Sequence, residues 1–207
     1  MKRITILFIL LIAPLFVLVF CKDKPPKPRP CDAPECYYPR QKEYSWRYIN
    51  LTKGCTASTI ADSFDLTILG ANTRHGDVGY DRFPDTDTNS ITFIFKKADT
   101  LFAEQVGQTV PFYKILVGPI KAGTCWTDSY FQYWIQAFEN VTLEINGETY
   151  KNCAKIMKKY QNPTKTNTVY EWWTTQYGLV KEMEVDTSGD CQSAEELRSF
   201  STGGVYP

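Results

Sequence analysis

Beyond residue 40 the chain repeatedly alternates apolar and polar side chains, the period-two pattern of strands with one buried face. Tyr44, Trp46 and Tyr48 alternate with Ser45 and Arg47, and Phe64, Leu66 and Ile68 with Asp65 and Thr67. Ile91, Phe93 and Phe95 predict a third strand, Tyr113, Ile115 and Val117 a fourth, and Phe131, Tyr133, Ile135 and Ala137 a fifth. In VTLEINGETYKNCAKIMKKY, Asn146-Gly147 separates two strand-like runs, and that dipeptide favours the positive φ of a hairpin turn. Val169 to Thr174 and Leu179 to Val185 complete a set of about nine strands. Helical signals are confined to Ala98–Val106 and Ser193–Phe200, the latter with Ala194, Leu197 and Phe200 behind Glu195 and Glu196. The polar stretch from Gly70 to Ser90 reads as a long loop. The pattern predicts a mainly β domain: a curved antiparallel sheet, half-barrel or open barrel, with one or two short helices.

The first twenty residues follow a different rule. Lys2 and Arg3 precede an apolar run from Ile4 to Phe20, and the chain then turns polar at CKDKPPKPRP. A positive start followed by an apolar core is the layout of an export signal. Leu18-Val19-Phe20-Cys21 places Leu and Cys as in a lipoprotein box, though Phe20 is larger than the residue usual beside the cut. The segment is therefore read as a lipoprotein-type signal peptide, residues 1–20, with Cys21 lipidated. An uncleaved anchor is the alternative, since about 17 apolar residues is the short limit for a spanning helix. Residues 21–36 form a proline-rich tether. Its nine residues from Lys22 to Pro30 hold four prolines and four basic residues, and reach roughly 28 Å at about 3.1 Å per residue. Residues 37–207 are left as a single β domain.

Export gives the cysteines a meaning. With Cys21 committed to lipid, Cys31, Cys36, Cys55, Cys125, Cys153 and Cys191 make an even set suited to disulfides, with the connectivity open. Charge narrows the partners. The chain carries 23 basic and 23 acidic residues, and the leader and stalk hold six of the basic and one of the acidic, leaving the domain 17 against 22. A net −5 domain is a poor nucleic-acid binder, because phosphate contacts need a basic surface.

Two passages resemble uncharacterised bacterial lipoproteins. Tyr37-Tyr38-Pro39 with Tyr44-Ser45-Trp46-Arg47-Tyr48 is similar to their opening strand, and Tyr150 to Cys153, Tyr170 to Trp173 and Gly178-Leu179-Val180-Lys181 to their closing hairpin. The likeness covers about a third of the domain. It implies a half-barrel like that of lipoprotein carrier proteins, wrapped around an apolar groove, and brings no catalytic residues.

No motif points to catalysis. His75 is the single histidine and sits in a polar stretch beside Arg74 and Asp77. Asp85, Asp87 and Asn89 have the alternating spacing that opens a calcium loop, but position six is Ser90 rather than Gly and position twelve is Lys96 rather than Glu. No cofactor and no metal are expected, and the reading is non-enzymatic. The expected role is a membrane-tethered envelope lipoprotein that binds an apolar ligand, with Trp46, Trp126, Trp134, Trp172 and Trp173 as candidate liners. The expected partners are the membrane, through the lipid anchor, and a lipid or another envelope protein. The alternative is a scaffold lipoprotein that docks a protein partner.

Overall fold

Twelve antiparallel strands join in one sheet in the computed structural model, which describes residues 31–39, 41–84, 91–107 and 112–202. They are β1 (Tyr44–Leu51), β2 (Ile60–Arg74), β3 (Asp77–Pro84), β4 (Thr92–Lys97), β5 (Thr100–Gln105) and β6 (Tyr113–Val117), then β7 (Cys125–Thr127), β8 (Phe131–Thr142), β9 (Thr149–Tyr160), β10 (Thr168–Thr174), β11 (Gly178–Val185) and β12 (Cys191–Thr202). Two short 3-10 turns, Pro34–Tyr37 and Ala57–Thr59, are the helical elements among the described residues. The leader, Cys21, most of the tether and the triplet Asp85, Asp87 and Asn89 lie outside the described residues.

The order across the sheet is β6-β5-β4-β3-β2-β1-β12-β11-β10-β9-β8-β7. The chain thus starts in mid-sheet, meanders to one edge, crosses through 118–124 to the opposite edge and meanders back until β12 pairs with β1. A seven-residue crossing requires the two edges to lie close, and Lys114 Nζ on β6 donates to the Thr127 carbonyl on β7 at 3.0 Å. The sheet is therefore a nearly closed barrel with its seam between β6 and β7. Curvature shows inside as well. Arg82 on β3 and Trp173 on β10 stand five strand spacings apart, about 24 Å in a flat sheet, yet they line one pocket. Register shifts in β1/β12, β1/β2, β2/β3, β8/β9, β10/β11 and β11/β12 supply the bends.

Twelve strands replace the nine expected, and the differences have identifiable causes. The run at 98–106 is a hairpin turn and β5. Leu101 and Ala103 alternate as fully buried residues, and Ala98 takes φ 49° in the turn. The run at 193–200 is β12. Ala194 and Leu197 face opposite sides of the sheet, both buried, and an extra residue opposite Arg47/Tyr48 returns Phe200 to the side of Leu197, against Trp46. Burial on two faces plus one bulge imitates helical spacing. The polar stretch from Gly70 contains a hairpin: His75 and Gly76 turn at φ 53° and 84°, and Arg74 and Asn72 bond Asp81 across the strands. The β8–β9 connection, with Gly147 at φ 70°, is a six-residue loop rather than a two-residue turn, closed by Leu143 N–H to the Glu148 carbonyl.

The main core runs along the concave face and takes in Trp46, Tyr48, Ile94, Tyr133, Ile156 and Trp173. A smaller cluster of Ile49, Leu51, Cys55 and Ala194 lies on the other face of β1 and β12. Beside it Lys181 and Glu196 form a buried ion pair at 2.6 Å, to which Ile145 N–H from the β8–β9 loop adds a hydrogen bond at 3.0 Å. The N-terminal segment belongs to the fold too: Ile120 N–H donates to the Asp32 carbonyl at 2.6 Å, and Lys96 pairs with Glu35 at 2.5 Å.

Of the six cysteines expected to pair, four do. Cys31 bonds Cys36, and Cys55 bonds Cys191 across 136 residues, tying the loop after β1 to the start of β12. Cys125 is free and exposed, and Cys153 is free and buried. Their cross-strand partners are Trp134 and Glu139, so the two thiols stand at separate places on β7 and β9. In the native, unreduced protein Cys125 is expected to react with a maleimide and Cys153 only after unfolding. Cys55→Ser with Cys191→Ser should cost about 2–5 kcal/mol in a denaturant titration.

Candidate functional site

One end of the barrel interior keeps an open pocket of about 240 Å³. β1 contributes Trp46 and Tyr48, β2 Phe64 and Leu66, β3 Arg82 and β10 Trp173. Alternation puts Trp46 and Tyr48 on the concave face, and register places Leu66 and Phe64 beside them on β2. The N-terminal segment forms the rim. Tyr38 is buried and stands 6.2 Å from the rings of both Trp46 and Trp173. Two bonds fix the opposite wall: Trp46 Nε1 donates to the Tyr177 carbonyl at 2.6 Å, and Tyr48 Oη to the Leu179 carbonyl at 2.9 Å.

A polar row continues from this pocket along the same face. Glu171, Glu182 and Glu195 are direct cross-strand neighbours on β10, β11 and β12. Lys158 reaches Glu171 at 2.5 Å and Glu182 at 2.9 Å. Burial works against its ammonium, but the two carboxylates more than reverse this and hold it charged. Burial likewise pushes the Glu171 carboxyl up, whereas at Glu182 the pull of Lys158 outweighs burial and lowers it. Glu195 touches neither end of that lysine. Burial first, then the Glu182 charge, pushes it up to about 7. Like charges side by side on a ladder are resolved by protonating one of them.

Arg82 stands across the pocket from this row. Its Nη1 donates to Tyr38 Oη at 2.9 Å, and among the described residues it forms no ion pair within 4 Å. The pattern reading passed over Arg82 because it fell in the stretch read as a loop, and over Glu195 because it was read as an early acid of a helix. The signal was present in register, since Arg82 shares its face with Tyr80.

The five tryptophans divide. Trp46 and Trp173 line the pocket. Trp126 is buried and stacked on Tyr133 at 4.9 Å, while Trp134 is half-buried between Cys125 and Met157 on neighbouring strands. Trp172 is buried, donates to Glu139 Oε1 at 2.8 Å and has Lys155 Nζ 5.3 Å from its ring centre. These three are packing residues away from the pocket. His75 is exposed on the β2–β3 turn, 3.2 Å from Glu104. Cys153 is a poor nucleophile, because burial pushes its thiol up to about 11. Among the described residues no cluster of three or more His, Cys, Asp or Glu side chains could hold a metal. A wider depression of about 610 Å³ along 148–152 and 174–177 has mostly polar walls.

This architecture is that of exported and lipoprotein structures already solved. An exported protein with a YmcC-like fold from Bacteroides fragilis, so assigned, matches with a TM-score of 0.51 at 12% identity, over 79% of this chain and 98% of the other. A protein from Parabacteroides distasonis assigned as a lipoprotein matches with a TM-score of 0.52 at 14% identity, over 83% and 99%. At such identities the shared property is the fold. No family model matches the chain. No curated protein matches it either.

Glu195→Gln tests the polar row. Below about pH 4.5 Glu195 is protonated in folded and unfolded chains alike, so the variant and the parent should be equally stable. As pH rises toward 7 the unfolded chain releases this proton while the folded chain keeps it, and the parent loses stability that the variant retains. Above pH 7 the variant should be ahead by on the order of 1–2 kcal/mol after allowance for solvent screening. Urea titrations at pH 4.5 and 8 measure the difference.

Proposed function

We propose that this protein is a non-enzymatic envelope lipoprotein, exported by residues 1–20, held at a membrane through Cys21 and its tether, and binding a small apolar ligand in the pocket at the barrel end. The observation that carries the reading is the pocket itself. It is concave, walled by Trp46, Tyr48, Phe64, Leu66 and Trp173, and joined to a few fixed polar groups, the usual composition of a ligand site. The leader, the two disulfides and the fold shared with exported proteins support the location. At about 240 Å³ the pocket falls below the ~300–1,000 Å³ of sites for larger ligands. It suits one short chain or ring, or the end of a longer chain, rather than a whole diacyl lipid.

A scaffold role has less behind it. The exposed apolar residues Ile60, Leu69 and Val78 are scattered along β2 and β3, an ordinary surface distribution.

The pocket reading is tested with 1-octanol, titrated into the full chain in lipid nanodiscs against empty nanodiscs while tryptophan emission is followed. Burying most of an octyl chain at about 0.8 kcal/mol per methylene predicts saturation with a Kd of roughly 0.1–1 mM. Leu66→Trp, which fills the cavity, should abolish saturation while circular dichroism stays unchanged. A response that never saturates, or that persists in Leu66→Trp, refutes pocket binding.

A further inference from the structure

We infer that the pocket selects a monoanionic carboxylate on an apolar body, with Arg82 as the residue that holds the carboxylate. The inference deepens the apolar-ligand reading and rests on it.

Three observations converge on Arg82. The first is its place: it rises from β3 into the same pocket as Trp46, Phe64, Leu66 and Trp173, where the other lining groups apart from Glu195 offer mainly aromatic and aliphatic surface. The second is its donor count. A guanidinium has five N–H donors in a planar fork that fits a carboxylate with two parallel bonds. One of the five is spent on Tyr38 Oη at 2.9 Å. The third is the want of a partner of opposite charge. Among the described residues Arg47 pairs with Asp65 at 2.7 Å and Arg74 with Asp81 at 3.1 Å, but no carboxylate comes within 4 Å of Arg82. Arg82 is half-buried, and a cation partly withdrawn from water against an aromatic wall is stabilised by a counter-charge. A ligand carboxylate supplies it.

The wall opposite sets the charge. Glu195 lines the same pocket and is followed on the same face by Glu182 and Glu171, with Lys158 the cation among them. A dianion bound at Arg82 would be repelled by this row. A monoanion meets less repulsion, and least when Glu195 is protonated, which its value of about 7 allows under mildly acidic conditions. The groups facing Arg82 from the packed elements are Tyr38, Tyr48, Tyr113 and Glu195. Of the phenols, Tyr48 stays neutral throughout this range, since burial raises its hydroxyl well above the ordinary value.

The test compares octanoate with octanamide, which has the same shape without the charge, by isothermal titration into the full chain in nanodiscs at pH 6. Octanamide measures the pocket and the difference measures Arg82. Octanoate should bind about ten- to a hundredfold more tightly, the range for a hydrogen bond to a charged group. In Arg82→Gln it should fall to the level of octanamide, whose own affinity stays unchanged. In Glu195→Gln, octanoate affinity should become independent of pH between 6 and 8, whereas in the parent it weakens as pH rises. Glu195→Gln leaves Arg82 and its bond to Tyr38 in place, so it reads the same claim if Arg82→Gln does not fold. Equal affinities of octanoate and octanamide overturn the carboxylate assignment and leave the apolar pocket standing. Failure of both to bind overturns the pocket reading and this inference with it. At pH 8, where octyl phosphate is a dianion, its binding more tightly than octanoate overturns the monoanion.

Discussion

The pairing of the first strand with the last holds the rest of the molecule in place. β1 meets β12 along its whole length, from Tyr44 opposite Thr202 to Leu51 opposite Ala194. Without that ladder β1–β6 and β7–β12 would be two six-stranded meanders with long exposed edges, a hazard for edge-to-edge association. With it they become a single sheet of twelve, bent until β6 and β7 nearly meet. The Cys55–Cys191 bond pins one end of the same junction. Because the junction brings together residues some 150 positions apart, it carries a large closure entropy, which the disulfide reduces in the unfolded chain.

Bending the sheet creates the interior and also decides what it must contain. A concave face of twelve strands brings together side chains that a flat sheet would keep well apart, and the large rings fill most of the space. Tyr38 and Pro39, from the segment before β1, cover one end. What remains open is the pocket beside Arg82 and Glu195. The polar row Glu171, Glu182 and Glu195 is tolerable on this face because Lys158 balances two of its carboxyls and protonation relieves the third. Such an arrangement is weak evidence for stability, since apolar residues would pack there at less cost. That makes its position next to an open cavity more informative than its contribution to the fold.

The architecture alone does not assign a role, since one fold hosts many functions. The site does more. Two tryptophans, Trp46 and Trp173, wall a cavity of ligand dimensions, while the other three serve packing. Aromatic count was therefore a guide to the core and a poor guide to the pocket, because rings fill both for the same reason.

The sequence by itself determined the class of fold and the position of most strands, because a strand with one buried face writes its alternation directly into the chain. β1, β2, β4, β6, β8, β10 and β11 were legible on that ground. β5 and β12 were not, since Leu101 and Ala103 follow a turn that breaks the pattern, and β12 buries residues on both faces with a bulge between them. β3 carries charge toward the interior, so it read as loop, and the three-residue β7 is too short to show a period. Tertiary structure alone decided which cysteines pair, which tryptophans line space, and that Arg82 faces Glu195 across a cavity. Each of those facts depends on the distance between residues on non-neighbouring strands. That distance is set by how far the whole sheet curves, a property no local run of side chains contains.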